Sequence, residues 1–306
     1  MTNIAIIDEC NGKFMGDIRE HWGREGHTIR FGKYFDPKLV HWADVTFFDW
    51  AGNNVQRASH SDDSFWTTDP QPKNKIICLR AHDIDIWVGQ HRNVDYSWIN
   101  HLIFIAPHLM EKALSEIQIP ENVKVHFIPH GINTKKFTFR KKERGKKIAF
   151  IGNICDQKKM ENTLLILAEL PRDYSLHVLG EHLGSWRKAY VDYFIRHNNL
   201  NVIFTERVES VNDFLEDKDF LISCSIKEGF GYVMGEAMAK GIKTLIHNFW
   251  GADQVWDGYP YIWNTISEAV KMILEDKYEP EIYRDYIIKN YPLDKMLKAY
   301  DELLKN

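Results

Sequence analysis

Two glutamates, Glu228 and Glu236, flank a glycine-containing turn in the stretch Lys227-Glu228-Gly229-Phe230-Gly231-Tyr232-Val233-Met234-Gly235-Glu236-Ala237-Met238-Ala239-Lys240-Gly241. Gly229 and Gly231 let backbone N–H groups come close to a ligand just where a helix is about to begin. A helix N-terminus carries unpaired donors and a partial positive charge, so a diphosphate is its natural guest. A carboxylate beside such a site does nothing for a phosphate. Ionised, however, it accepts two hydroxyl hydrogens at once, which suits a sugar. The residue types together ask for a molecule with a diphosphate and vicinal hydroxyls, and a nucleotide-sugar fits.

The elements that must position these groups are legible around them. Asp219 to Cys224 is a short apolar run that reads as a buried strand, and Lys243 to His247 reads as another. Between them Tyr232 to Lys240 is rich in helix formers and closes on Gly241, a natural residue just past a helix end. Strand, glycine loop, helix and strand make one parallel crossover of an α/β sheet.

Glu228-Gly-Phe-Gly, with Glu236 in register and Ala-Met-Ala-x-Gly241 behind it, resembles the E-x7-E motif of retaining glycosyltransferases of family 4. The resemblance implies a GT-B fold: α/β, with two Rossmann-like domains facing across a cleft and the donor bound mainly by the second. It implies that Glu228 contacts the donor sugar, that Gly229, Phe230 and Gly231 meet the diphosphate, and that Glu236 holds the ribose. A second stretch, Pro129-His130-Gly131-Ile132-Asn133-Thr134-Lys135-Lys136-Phe137, is similar to the family's interdomain P-N-G-V-D-x-x-x-F, with His130 and Asn133 replacing its Asn and Asp.

At 306 residues the chain suits two domains with a core each. Its hydrophobic share of 44%, charged share of 27% and net charge of −4 are those of a globular protein with no global bias toward nucleic acid. The 10 tryptophans read as core first and sugar-stacking capacity second. Cys10, Cys78, Cys155 and Cys224 are far apart with no C-x-x-C pair, which speaks against a zinc site and a disulfide framework. The apolar start Asn3 to Ile7 is too short for a signal peptide, and no run approaches the roughly 20 apolar residues needed to span a bilayer. The expectation is a cytoplasmic protein, with the cytoplasmic face of a membrane as a second location.

The first half alternates strand and helix: Ile4–Ile7, an amphipathic segment Phe14 to Glu25, then Thr28–Phe31. Gly12 and Gly16 fall short of the three glycines of a dinucleotide fingerprint. Family resemblance makes Gly12 a candidate for the donor loop; it reads equally as a turn glycine. Further strands are expected at Asp44–Trp50, at Lys75–Arg80 behind a loop with Pro70 and Pro72, and at His101–Ala106 before a helix from Pro107. His82 stands just past the strand ending at Arg80, where ligands of open α/β sheets bind. The family has a His at the corresponding strand end, so a catalytic role is carried to His82. Asp83-Ile84-Asp85 and Asp217-Lys218-Asp219 both spell D-x-D, and both are expected to be solvated or capping carboxylates, with no metal and no cofactor.

Phe139 to Lys147 is the densest basic run and reads as a solvated interdomain linker, with attraction to an anionic membrane or acceptor as the weaker reading. Ile148 to Gly152 then opens the second domain. In the family this strand ends in Gly-Arg with a Lys six residues beyond, both cations gripping the diphosphate. Here Asn153 replaces the Arg, while Lys159 holds the Lys position with Lys158 beside it. Asn donates a hydrogen bond but lacks the charge, which implies either a weaker hold on the donor or compensation by Lys158 or Arg207.

These readings give an acceptor domain at 1–138, a basic linker at 139–147, a nucleotide-sugar-binding domain at 148–290, and a C-terminal helix at 291–306 crossing back to the first domain. The expected activity is metal-independent, retaining transfer of a hexose-like sugar from a nucleoside diphosphate (UDP or GDP) to an acceptor hydroxyl in glycan synthesis. The acceptor itself, whether glycan, lipid-linked sugar or small molecule, is not specified by the residues. A GT-B nucleotide-sugar epimerase and a non-catalytic nucleotide-sugar-binding subunit are the alternatives, the latter favoured by Asn153.

Overall fold

The computed structural model describes residues 1–10, 12, 14–59, 75–181 and 184–305. The loop expected at Pro70 and Pro72 lies outside the described residues. The chain divides into two compact units, one of Met1–Gly131 with Asp294–Asn306 and one of Ile132–Leu293.

The first unit is built on a six-stranded sheet of β1 (Asn3–Asp8), β2 (Thr28–Gly32), β3 (Val45–Asp49), β4 (Ile76–Ala81), β5 (His101–Phe104) and β6 (Lys124–Phe127), in the order β2-β1-β3-β4-β5-β6. Every pairing is parallel. β3 is buried at all five positions and β1 and β4 at all but their first, as near-continuous apolar runs covered on both faces should be. Register matters for the chemistry: Asp8 lies beside Asp49, and Asp49 beside Arg80, on three adjacent strands. The chain order reverses between β1 and β3, so these residues sit at the topological switch point. The helix Leu293–Leu303 supplies Met296, Tyr300 and Leu303 to this unit's core at helical spacing.

The second unit repeats the plan with β7 (Lys147–Ile151), β8 (Ser175–Leu179), β9 (Val202–Thr205), β10 (Phe220–Ser223), β11 (Lys243–His247) and β12 (Ile262–Trp263), in the order β12-β11-β10-β7-β8-β9. Its switch point lies between β7 and β10. Ile148, Phe150, Leu164, Leu176, Phe220 and Leu245 belong to one buried cluster under the sheet and its helices. The α/β architecture expected from the alternation is therefore present in both units.

One local expectation is corrected. The basic run is no free linker: it belongs to the second unit, where Lys141 pairs with Glu281 at 2.7 Å, Lys142 with Asp219 at 2.9 Å and Lys147 with Asp217 at 2.6 Å. Arg144 donates to the Ile273 carbonyl at 2.6 Å. Asp219, expected to be solvated or capping, is buried and accepts from the Lys147 amide, the first of β7, at 2.9 Å.

Candidate functional site

The loops after β7 and β10 flank the second unit's switch point. The loop after β7 begins at Gly152, whose amide donates to Leu179 O at 2.9 Å. Gly180, at the end of β8, approaches it so closely that a Cβ there would lie 2.1 Å from the Gly152 carbonyl oxygen. Only glycine allows that backbone contact. The loop then runs through Asn153, which is exposed, to Lys158 and to Lys159, a left-handed residue (φ 45°) that caps the helix Met160–Glu169. A non-glycine residue in that region is uncommon and is held there by its surroundings.

The loop after β10 carries Glu228, Gly229, Phe230 and Gly231. Gly231 (φ 81°) caps the eight-residue helix Tyr232–Ala239. Glu228 is 7% exposed, and its Oε1 pairs with Lys158 Nζ across the switch point. Two further bonds stitch the loops together: Ile226 N–H donates to Gln157 O at 3.0 Å, and Gln157 Nε2 donates to Lys227 O at 2.9 Å. Glu236 is half-buried on the helix. A buried carboxylate, an ammonium and a glycine-opened helix N-terminus thus share one edge of this sheet.

The first unit builds a different cluster at its own strand ends. Asp49 is buried and accepts from Arg80 Nε and Nη2, both at 2.7 Å, while His82 Nε2 lies 2.6 Å from its Oδ1. Burial alone would raise this carboxyl, yet the Arg80 guanidinium and the His82 imidazole hold it far below the usual carboxylate range. The His82 side chain is only 3% exposed. Trp50 stacks on it with ring centroids 3.9 Å apart, and the Trp50 indole N–H donates to Asp8 Oδ1 at 2.9 Å. Trp50 itself has φ 93°, a strained backbone for so bulky a residue. Asp8 also accepts from the amides of Cys10 and Gly12 at 2.7 and 2.6 Å, so one carboxylate shapes the loop after β1 and anchors Trp50. Burial pushes Asp85 up to about 6, against the pull of His82; its Oδ2 accepts from the Ala51 and His82 amides, both at 2.9 Å.

The family model for glycosyl transferases group 1 matches residues 131–292, more than half of the chain. The chain belongs to that family. A curated relative, an uncharacterized glycosyltransferase of Methanocaldococcus jannaschii, is 24% identical over 231 residues, covering 67% of this chain and 57% of the relative. The chain thus spans a little over half the length of that relative. It spans 57% of Staphylococcus aureus TarM as well, solved with UDP among its ligands, which matches 88% of this chain at 16% identity with a TM-score of 0.69. Anabaena HepE, solved with UDP-glucose, matches all of both chains at 12% identity and a TM-score of 0.79. Sucrose-phosphate synthase of Thermosynechococcus elongatus matches this chain in full and 98% of its own, at 13% identity and a TM-score of 0.74. These likenesses establish a GT-B fold.

In this member of the family the residues singled out from the sequence are placed as follows. Glu228, Gly229, Gly231 and Lys158 come together at one switch point. Lys159 stands beside them as a helix cap, and it is Lys158 that reaches Glu228. The Phe230 ring turns inward, 5.0 Å from Trp256 and 4.9 Å from Tyr291, so only its backbone is available to a ligand there. Arg207, its side chain 87% exposed, pairs at the surface with Glu181 at 3.0 Å. Gly12 (φ 73°) is a turn glycine bonded to Asp8. His82 is at its strand end, but beneath Trp50 and held by Asp49. Asp49, Arg80 and Trp50 escaped the sequence reading. The signal was an acid closing each of two apolar strands, Asp8 on β1 and Asp49 on β3.

Proposed function

We propose that this glycosyltransferase moves a hexose-like sugar from a nucleoside diphosphate to an acceptor hydroxyl with retention of configuration, as its resemblance to family 4 implies. The observation that carries the reading is the buried Glu228 beside the Lys158 ammonium and the Gly231-capped helix. The Gly229–Gly231 backbone and the two lysines receive the diphosphate, Glu228 takes donor-sugar hydroxyls, and Glu236 the ribose. The bond from the anomeric carbon to the diphosphate oxygen breaks, the diphosphate leaving with its electron pair. The acceptor oxygen bonds that carbon on the same face and passes its proton to the departing phosphate. The chain's contribution is charge on the leaving group, worth several kcal/mol in a pre-organised site. Cations of the chain serve here in place of a metal, so turnover should persist in EDTA.

HepE was solved with UDP-glucose, which makes it the first donor to try. A thermal-shift titration with UDP, GDP, ADP and their common sugar forms tests the reading. A ligand at 100 times its Kd adds about 2.7 kcal/mol to the state it binds, a rise of several degrees. A rise with one base, followed by release of that diphosphate when acceptors are added, supports transfer. Binding without release across an acceptor panel would make this a nucleotide-sugar-binding subunit, and interconversion of the donor sugar without acceptor would make it an epimerase.

A further inference from the structure

The loop between β7 and the helix Met160–Glu169 carries a single acid, Asp156, close to the lysines that were given to the diphosphate. Its side chain is 82% exposed, yet it has a buried partner. Arg187, in the first turn of the helix Ser185–His197, donates from Nη2 to Asp156 Oδ1, and its own side chain is only 4% exposed. The Arg187 guanidinium lies over the Trp186 ring, 4.8 Å from its centroid, and Nε stands 3.7 Å from Glu161 Oε1. Nε and Nη1 are buried and make no hydrogen bond among the described residues. Burying a guanidinium with two nitrogens unfilled is unfavourable for the fold. Its one hydrogen bond goes to the donor loop, so its use belongs there.

The Lys159 ammonium makes no ion pair or hydrogen bond among the described residues. Asp156 is drawn below the usual carboxylate range by Arg187 first and by Lys159 as well, so both cations act on the one acid. Resting on the donor-site reading above, we propose that Arg187 is a positioning residue for the donor: it holds the Asp156 carboxylate away from Lys159 and so leaves that ammonium to the diphosphate. Without Arg187, Asp156 turns to Lys159, and an entering diphosphate must displace a like charge to reach its cation.

Calorimetric titration of the full chain with UDP, GDP and ADP gives a dissociation constant for the base that binds. Lys159→Gln should weaken it. Arg187→Met should weaken it roughly 10-fold, the scale of one hydrogen bond to a charged group. Met fills similar space with no donor left unfilled, and Asp156 stays solvated, so this variant should fold. Two further results separate the role from support of the fold. Adding Asp156→Asn to Arg187→Met should recover affinity to within about 3-fold of the wild type, and in a Lys159→Gln background Arg187→Met should weaken binding by about 2-fold or less. No recovery in the double variant, or an undiminished loss in the Lys159→Gln background, overturns the inference and leaves the donor site standing. Should Arg187→Met fail to fold, the exposed Asp156 carries the test alone. Held by Arg187 it does not compete in the wild type, so Asp156→Asn should bind within about 2-fold of it, and a tightening of about 10-fold would overturn the inference. A wild type that binds none of the three nucleotides overturns both the inference and the donor site.

Discussion

At the scale of single residues, the loops after β7, β8 and β10 depend on what has no side chain. Gly180 and Gly231 both resist substitution, but for different reasons, and their alanine variants should separate. A Cβ at Gly231 would meet only the flexible end of Met234, 2.4 Å from its Cε, so the main cost is a left-handed backbone at φ 81°. That costs about 1–2 kcal/mol, and Gly231→Ala should stay folded with a melting temperature lowered by a few degrees. A Cβ at Gly180 would strike the Gly152 carbonyl, which belongs to backbone and cannot swing aside. Gly180→Ala should therefore be the more damaging of the two, by ~2 kcal/mol or more, and should weaken donor binding by moving the Gly152 loop. Chemical denaturation of both variants checks the ordering; equal losses would mean that the two glycine loops separate freely.

At the scale of elements, the last helix is a structural member of the first unit. Tyr300 OH accepts from Arg80 Nη1 at 3.2 Å, and Arg80 is the residue that holds Asp49 and, through it, His82. Asp301 accepts from Trp22 Nε1 at 3.1 Å and lies 2.9 Å from His21 Nε2. Removing residues 294–306 strips three buried apolar side chains from this core, at about 1.5–3 kcal/mol each, and leaves Arg80 with one partner fewer. The truncated chain should lose protease resistance in 1–131 while the second unit persists as a resistant fragment. Equal resistance of both units would contradict it. This helix also shows what sequence reading can reach. Its amphipathic spacing is local and legible, as is the strand-loop-helix-strand about Glu228. The Asp49–Arg80 and Lys158–Glu228 pairs are not, because partners 31 and 70 residues apart meet only through strand order and register. The Phe230 ring was out of reach for a related reason: neighbours fix where its backbone goes, whereas Trp256 and Tyr291 decide where its ring goes.

At the scale of the whole molecule, stability should respond to pH through two buried groups of the first unit that oppose each other. His101, whose Nδ1 lies 2.8 Å from His126 Nε2, is lowered from 6.5 to about 4, by burial first and then by His126 and Lys124. A depressed pKa means that the unfolded chain takes up the proton first, so the stability present above pH 6.5 is lost as pH falls toward about 4. Asp85 runs the other way. Its pKa is raised from 3.8 to about 6, so its contribution is present below 3.8 and is lost as pH rises through about 6. Over their shared window the two slopes offset, each worth up to about 1.4 kcal/mol per pH unit and less where solvent screens the group. Single substitutions should unmask them. Relative to the wild type, His101→Gln should gain stability as pH falls from 6.5 to 4, and Asp85→Asn should gain it as pH rises from 4 to 6. Urea denaturation at half-unit intervals gives these differences. The slope is the readout, since the offset also carries whatever partner the new amide lacks, and variants running parallel to the wild type would place the titrations elsewhere.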